Sequence, residues 1–467
     1  MGFSNASHTS SLSILTFQST YLHFTNPHTF DLREISAMNS LTVILALYCT
    51  CVQTYWLMGA NNVLTTQRID PILTPGIVST HVHSVLGGSN FGLNVTTSAL
   101  LRSECTSIPI IEDKSNYWFP HLYFQKNDGS FESVVGNAVM LVQYDVCHQI
   151  YFLQDTSLLD DLQDYLFSDK PNSTTPFPED FRMISGDPTL RTLDPSSFAQ
   201  QAITFLCLDF SGQSTRFNEL PVNKNCPSGI RSQINFPSCW DGVNVDSDDH
   251  RSHVAFLSTG PDNGTCADPR FPVTLPRIFM EVYWITQDFD KQRDEALTPS
   301  QPFVFSNGDP TGYGYHADFF NGWEPDVLQR ALTSCTCNPY GDPSCCAAQG
   351  IFTLNQSSHC YISNIVDEPV LGNLTTLPGA NPVQAPCYEN YIASSIPAIL
   401  DPVYVSSTSA SATNPSGTVA IPATTIDVTQ TAVGTCIWTG DAKRGKTSPI
   451  LSIVLLVLTW TIQDVLP

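Results

Sequence analysis

FVFSNGDPTGYGYHADFFNGW, residues 303–323, is the most informative stretch of this chain. It combines phenylalanine, tyrosine and tryptophan with closely spaced glycines and a histidine–aspartate pair, His316 and Asp318. Glycines allow tight turns and close backbone approaches, whereas the aromatic side chains predict either a core wall or a stacking surface. In a strand, His316 and Asp318 lie on one face because successive side chains alternate.

The composition indicates an extracellular β protein. The 467 residues include 43 acidic and 20 basic side chains, and the net charge is −23. Nucleic-acid phosphates require a basic surface, so nucleic acid is excluded as a partner class. The 33 prolines and 26 glycines, with short β-branched or aromatic runs, predict a mainly β fold, a β-sandwich or jelly-roll-like domain with long loops. The 15 cysteines lack zinc-finger spacing and predict disulfides.

The two ends of the chain predict targeting signals. Residues 1–37 are interpreted as a gene-model extension, and the apolar run that follows predicts a signal peptide at 38–59, with a signal anchor as the alternative. Residues 405–440 form a Ser/Thr-rich stalk. Residues 441–467 are typical of a GPI-anchor signal, with a C-terminal membrane segment as the alternative. These features predict an extracellular protein held on the plasma membrane or cell wall by a lipid anchor.

Between these ends, one main domain at 68–335 is followed by a Cys-rich extension at 336–404. A helix is predicted over 323–335, because Pro325 suits a first turn and apolar residues follow at helical spacing. The cysteines of 335–346 predict a small disulfide-linked module, with Cys360 and Cys387 as further partners. Glycosylation sequons occur at Asn94, Asn172, Asn263, Asn355 and Asn373.

Histidines in three local patterns are the candidate reactive residues. His81 and His83 lie two apart in a strand-like run, His250 and His253 follow an acidic loop, and His316 precedes Asp318. Acid–base chemistry around a sugar would use the following candidate catalytic residues: His83, His250, His253, His316 and Asp318. A divalent metal would use an overlapping set of candidate ligands: His81, His83, His253 and His316. The third possibility is that these side chains only hold loops together.

A second aromatic motif, DKSNYWFPHLYF at residues 113–124, predicts substrate contacts. Lys114 is a candidate base or carboxylate binder, with an ordinary salt bridge as the alternative. Candidate sugar-stacking side chains, which could equally pack in the core, are Tyr117, Trp118, Tyr315 and Trp323. The chain has no GxSxG, HExxH or phosphate-binding glycine loop, which disfavours the hydrolases that depend on those motifs.

Several motifs together resemble one family. They are RIDPILTPGIVSTHVHSVLGGSNF, DKSNYWFPHLYF, GIRSQINFPSCWDG with DDHRSHVAF, LPRIFMEVYW and FSNGDPTGYGYHADFFNGW. In this order they resemble the fungal domain-of-unknown-function family nineteen-ninety-six over about residues 68–335, and GDPTLR at 186–191 matches that family's DPxxR. Members are secreted fungal proteins, some fused to WSC carbohydrate-binding domains, so the resemblance implies contact with cell-wall glycan but no established activity. This chain departs from such members by carrying a stalk and anchor instead of a WSC domain.

Three functions follow as hypotheses. The first is a fungal cell-surface glycoprotein that binds or modifies cell-wall polysaccharide through a His/Asp/aromatic cleft. As an enzyme it would be a carbohydrate-active hydrolase or lyase. The second is a non-catalytic structural or adhesive cell-wall protein, and the third is an extracellular metal-binding protein. Converging polar side chains would favour a binding or catalytic site, whereas scattered and individually bonded histidines would favour the structural role.

Overall fold

The computed structural model describes residues 51–147, 174–338, 340–393, 395–401, 405–406 and 419–425. Most of the predicted signal peptide, the gene-model extension, most of the stalk, the anchor signal and Asn172 lie outside the described residues. No helix within the described ranges is long and apolar enough to cross a bilayer.

Short strands dominate the chain. In chain order the strands are β1 (Cys51–Gly59), β2 (Thr65–Gln67), β3 (His83–Gly87), β4 (Asn116–Pro120), β5 (Leu122–Gln125), β6 (Phe131–Ser133), β7 (Gly136–Cys147), β8 (Arg182–Gly186), β9 (Ile203–Cys207), β10 (Thr215–Phe217), β11 (Ile230–Asn235), β12 (Cys239–Trp240), β13 (Val254–Ala255), β14 (Val273–Thr274), β15 (Arg277–Trp284), β16 (Phe303–Phe305), β17 (His316–Phe320), β18 (Tyr361–Ile362), β19 (Asn373–Leu374), β20 (Ser395–Ile396), β21 (Ile399–Leu400), β22 (Val405–Ser406), β23 (Val419–Ile421) and β24 (Thr424–Thr425). The α-helices are α1 (Thr97–Leu100), α2 (Phe198–Gln201), α3 (Pro325–Ser334) and α4 (Ser344–Ala348). Among the described residues, 3₁₀ segments span Thr286–Glu295 and Pro378–Ala380.

Two antiparallel sheets pack across one core. The six-stranded sheet has the order β1-β7-β15-β11-β9-β10, and the five-stranded sheet has the order β2-β3-β4-β17-β8. Met280 and Val282 of β15 enter the core, whereas Glu281 and Tyr283 face the other way and bind Arg231. This alternation is the period-2 pattern expected of a strand with one covered face. The predicted mainly β sandwich with disulfides is confirmed.

The five-stranded sheet has a second core on its opposite face. Val85, Trp118, Ile184 and Phe320 of this sheet pack there with residues from the loops and from the C-terminal extension. In this sheet, β17 pairs with β4 on one side and with β8 on the other. His316 and Asp318 point to this second face, because Asp318 is the ladder partner of Trp118 and Ile184.

The predicted helix over 323–335 and the cysteine module are present. The helix is α3, and its buried residues Val327, Leu328, Ala331 and Leu332 form the expected apolar stripe. Disulfides Cys335–Cys346 and Cys337–Cys345 link the module internally. The prediction that Cys360 belongs to this module is wrong, because Cys360 pairs with Cys105 of the main domain. Spacing cannot show which distant loops meet in the fold.

The strand β1 overlaps the predicted signal peptide at 38–59. Its nine residues pair with β7, and the side chains of Trp56 and Met58 are fully buried in the first core. Cleavage at residue 59 would remove both side chains from that core. The boundary stays a prediction, and N-terminal sequencing of the secreted protein decides it.

Removing the Cys105–Cys360 disulfide should strongly destabilise the protein. This bond closes a loop with a sequence separation of 255 residues and ties the C-terminal extension to the main domain. Replacing both cysteines by alanine should lower the free energy of unfolding by about 5 kcal/mol through restored chain entropy in the unfolded state. Denaturant titration measures the change.

The matched control removes the short-range disulfide Cys337–Cys345, whose sequence separation is 8. Its removal should cost only about 2.5 kcal/mol, because a shorter loop restricts the unfolded chain less. Equal losses for the two pairs would contradict an entropic role for the long-range disulfide.

Candidate metal centre

Three histidines converge on the second face of the five-stranded sheet. His83 begins β3, His316 begins β17, and His81 lies two residues before β3. Strand β4 separates β3 from β17, and its residue opposite His83 is Pro120.

The ring nitrogens of these histidines are close to one another. The distance from Nε2 of His316 is 3.0 Å to Nε2 of His81 and 3.4 Å to Nε2 of His83. One ligand atom from each residue lies within 4.8 Å of the other two. In a tetrahedral zinc site with Zn–N bonds of 2.0–2.1 Å, neighbouring nitrogens are about 3.3 Å apart. The observed spacing therefore fits three nitrogen ligands of one ion.

The protonation of two rings is fixed by backbone carbonyls. Nδ1 of His83 lies 3.0 Å from the carbonyl oxygen of Ile69, and Nδ1 of His316 lies 2.9 Å from that of Gly314. A carbonyl only accepts, so each Nδ1 carries the proton and donates it. Each neutral ring then has a lone pair on Nε2. Two lone pairs facing each other at 3.4 Å repel unless a cation lies between them.

Burial keeps these rings neutral. His83 and His316 are fully buried, and His81 is 4% exposed. Burial lowers the pKa of His316 to about 4. Burial also holds the pKa of His81 and His83 well below the usual range, and the neighbouring His charges lower it further. Neutral imidazole is the form that binds transition metals.

A network behind His316 fixes the orientation of its ring. The carbonyl of Gly314 accepts both from His316 and from Nδ2 of Asn307, at 3.0 Å. The backbone N–H of Gly314 donates to Asp309, and the buried guanidinium of Arg191 donates to the carbonyl of Asn307. Such hydrogen bonds to a ligating histidine orient the ring and set its tautomer.

Replacing Asn307 by alanine should weaken metal binding by about 10–100-fold, the range seen when an outer-shell partner is lost. Its amide fixes the carbonyl that orients His316. Metal titration with a competing chelator measures the affinity. The matched control is Asn137→Ala, which removes an amide bonded to the Ala60 carbonyl. An equal loss in both variants would contradict a role of Asn307 in positioning His316.

A buried carboxyl group lies on the same face of β17 as His316. Asp318 is fully buried, and neither of its oxygens has a hydrogen-bond partner among the described residues. Burial raises the pKa of Asp318 well above its usual range, and the charge of Asp70 raises it further. Burial also raises the pKa of Asp70 to about 6. Burial therefore disfavours the ionised form of Asp318, which lies one strand repeat from the candidate ligand His316.

His250 and His253 do not join the three converging histidines. His253 is bonded through Nδ1 to the Ser247 hydroxyl and through Nε2 to the Arg182 carbonyl. His250 is bonded through Nδ1 to Asp246 at 2.7 Å. Of the four predicted metal ligands, the structure therefore brings together three.

The predicted substrate-binding residues lie in the interior or at its edge. Lys114 is half-buried and donates to the carbonyl of Ser103. The four candidate stacking rings are at most 1% exposed and belong to the hydrophobic cores: Tyr117, Trp118, Tyr315 and Trp323. Their stacking role stays a prediction, and the function proposed below does not use it.

Within the described ranges, one other cluster has metal-ligand residue types: Cys337, Cys345 and Cys346. These cysteines are engaged in the disulfides Cys337–Cys345 and Cys335–Cys346. Cysteine binds a metal as the thiolate, and a cysteine in a disulfide has none, so the three histidines are the better candidate metal site.

Sequence reasoning missed two residues behind His316: Arg191 and Asn307. Arg191 lies in the motif GDPTLR, and Asn307 lies within 303–323. Nothing in residue type or spacing shows that these two support His316, because Arg191 reaches Asn307 across the fold.

Comparison with known proteins gives a family without an assigned activity. A family model described as a domain of unknown function (DUF1996) matches residues 70–323, which is more than half of the chain. No curated protein and no solved structure matches the chain. The matched region contains Asp70, all three converging histidines and Asp318. The chain belongs to the family of proteins with the domain of unknown function DUF1996.

Proposed function

We propose that this protein binds one transition-metal ion through His81, His83 and His316, outside the cell. The proposal rests on the convergence of three buried Nε2 atoms. Those of His83 and His316 both carry lone pairs, because the proton of each ring is on Nδ1 and is donated to a backbone carbonyl. Three imidazoles with one further position for water or substrate form the ligand set of catalytic zinc sites. Zinc is the first candidate ion, and copper also accepts imidazole ligands.

Elemental analysis tests the proposal. The purified protein is stripped with a chelator, loaded with zinc or copper, and freed of excess ion by gel filtration. The proposal expects about one equivalent per chain that survives filtration. Less than about 0.1 equivalent of either ion would reject the metal site. The histidines would then have the structural role that the second hypothesis gave them.

A carbohydrate-directed activity is the second candidate function. It is favoured by a cavity along the strand next to the one that carries His316, where an ion pair lies, and by the buried carboxyl group of Asp318 one strand repeat from His316. A metal bound by the three histidines would supply a Lewis acid. Cell-wall polysaccharide of a fungus is the proposed substrate class. Activity on isolated wall glycan, lost on chelation, would support it.

The location is also a proposal. Five disulfides join described cysteines, which is typical of secreted proteins. Four sequon asparagines are exposed and sterically open to glycosylation: Asn94, Asn263, Asn355 and Asn373. A lipid anchor would hold the protein on the plasma membrane or cell wall. Release of the protein from intact cells by a phospholipase specific for GPI anchors tests the anchor.

A further inference from the structure

A cavity of about 360 Å³ lies along β8, the strand next to the one that carries His316. Gly186 lines this cavity and is the ladder partner of His316. Protein pockets that bind small molecules are about 300–1,000 Å³, so one small ligand fits. Apolar side chains make up most of the wall: Ile184, Leu190, Ala199, Ile203, Pro237, Val254, Ala255 and Phe256.

An ion pair supplies the charged groups of the cavity. Nη1 of Arg251 donates to Oδ2 of Asp187 at 3.0 Å, and both side chains are about one third exposed. Both residues line the cavity. The pair therefore presents a charged donor group and a carboxylate to a ligand in the cavity.

Asp187 retains room for one more donor. Its Oδ1 accepts from the backbone N–H and the hydroxyl of Thr189, and its Oδ2 accepts from Arg251. A carboxylate has about four acceptor positions, so one remains. Burial raises the pKa of Asp187, but the hydrogen bonds from Thr189 and the Arg251 charge outweigh it and lower the pKa overall. Asp187 thus stays ionised, and the ion pair is neutral as a whole.

The chemistry of this cavity selects a neutral hydroxyl compound. A hydroxyl group accepts one hydrogen bond and donates another, so it can join Arg251 to Asp187. An anion would be repelled by Asp187, and a cation by Arg251. The apolar wall suits the C–H face of a sugar ring, which is apolar although its edge carries hydroxyls.

We propose that this cavity binds one neutral sugar unit, with a hydroxyl between Arg251 and Asp187 and the ring against Phe256 and Leu190. This inference rests on the proposed carbohydrate-directed function and names its substrate class and subsite. The bound unit would lie close to the candidate metal centre, because Gly186 lines the cavity and is the ladder partner of His316.

Calorimetric titration of the full-length, metal-loaded protein tests the inference. The probes are methyl glucoside, methyl mannoside, N-acetylglucosamine and, as the anionic comparison, glucuronate. At least one neutral sugar should bind with a millimolar dissociation constant, and glucuronate should bind more weakly. Arg251→Met should weaken the neutral sugar about tenfold or more, since a charged donor is lost. Ala199→Trp should abolish binding, because the indole fills the cavity from its wall.

The matched control is Arg270→Met, which removes an exposed ion pair with Asp268 and should leave sugar binding unchanged. The inference is overturned if no neutral sugar binds at high millimolar concentration, if glucuronate binds best, or if Arg251→Met and Ala199→Trp bind normally. Metal content is measured on the same samples and should be equal in all. If the loaded samples retain no metal after gel filtration but still bind sugar, the proposed metal centre is rejected and the sugar subsite is retained.

Discussion

Replacing His316 by alanine should abolish stoichiometric metal binding. Nε2 of His316 lies close to Nε2 of both His81 and His83. Without His316, only two of the three nitrogen ligands remain. Loss of an outer-shell partner costs 10–100-fold in metal affinity, and loss of a direct ligand should cost more than about 100-fold. Elemental analysis after gel filtration gives the stoichiometry, and chelator competition gives the affinity.

The matched control is His253→Ala. His253 is also buried, but both of its ring nitrogens are bonded to protein groups away from the cluster. This variant should keep its metal even where its thermal stability falls. Loss of metal in His253→Ala at unchanged folding, or retention of metal in His316→Ala, would contradict the three-histidine site.

The bound metal should resist acid to an unusual degree. A metal competes with protons for imidazole nitrogen, and three ordinary histidines of pKa about 6.5 would weaken binding about 10⁴-fold between pH 8 and pH 5. Here burial lowers the pKa of His316 to about 4 and that of His81 and His83 well below the usual range. Because protonation of the rings is shifted to lower pH, the loss of affinity between pH 8 and pH 5 should be much smaller than for ordinary histidines.

Release should begin only as the pH falls towards about 4, the pKa of His316. Metal retention is measured by gel filtration across this range, and circular dichroism at each pH confirms that the protein is folded. A peptide with exposed histidines serves as the reference and should release its metal near pH 6. Half-release of the protein's metal near pH 6.5 would mean that the histidines are solvated and titrate normally.

The sequence predicts this fold better than it predicts this site. Alternation in β15 and the apolar stripe of α3 are local signals, and the structure confirms both. Local sequence patterns also indicate His81, His83 and His316 as candidate ligands. The ring centroids of the HxH pair, His81 and His83, are only 4.3 Å apart, because the two residues are separated by one residue at the entry to β3.

Long-range contacts explain what the sequence does not predict. His253 has the same residue type and a similar burial, but its loop brings it to Ser247 and Arg182 instead of to His316. The pairing of Cys360 with Cys105 also depends on where the extension crosses the domain. No periodicity or residue spacing in the chain indicates either contact, so only the folded structure shows them.

The most direct test of the three-histidine centre is X-ray absorption at the metal edge of the zinc-loaded protein. The expected spectrum shows three nitrogen ligands at about 2.0–2.1 Å with the outer-shell scattering of imidazole rings, and one further light-atom ligand. The same spectrum from His316→Ala should lack this shell. A shell of sulfur at about 2.3 Å, or one of oxygen without imidazole scattering, would contradict the account.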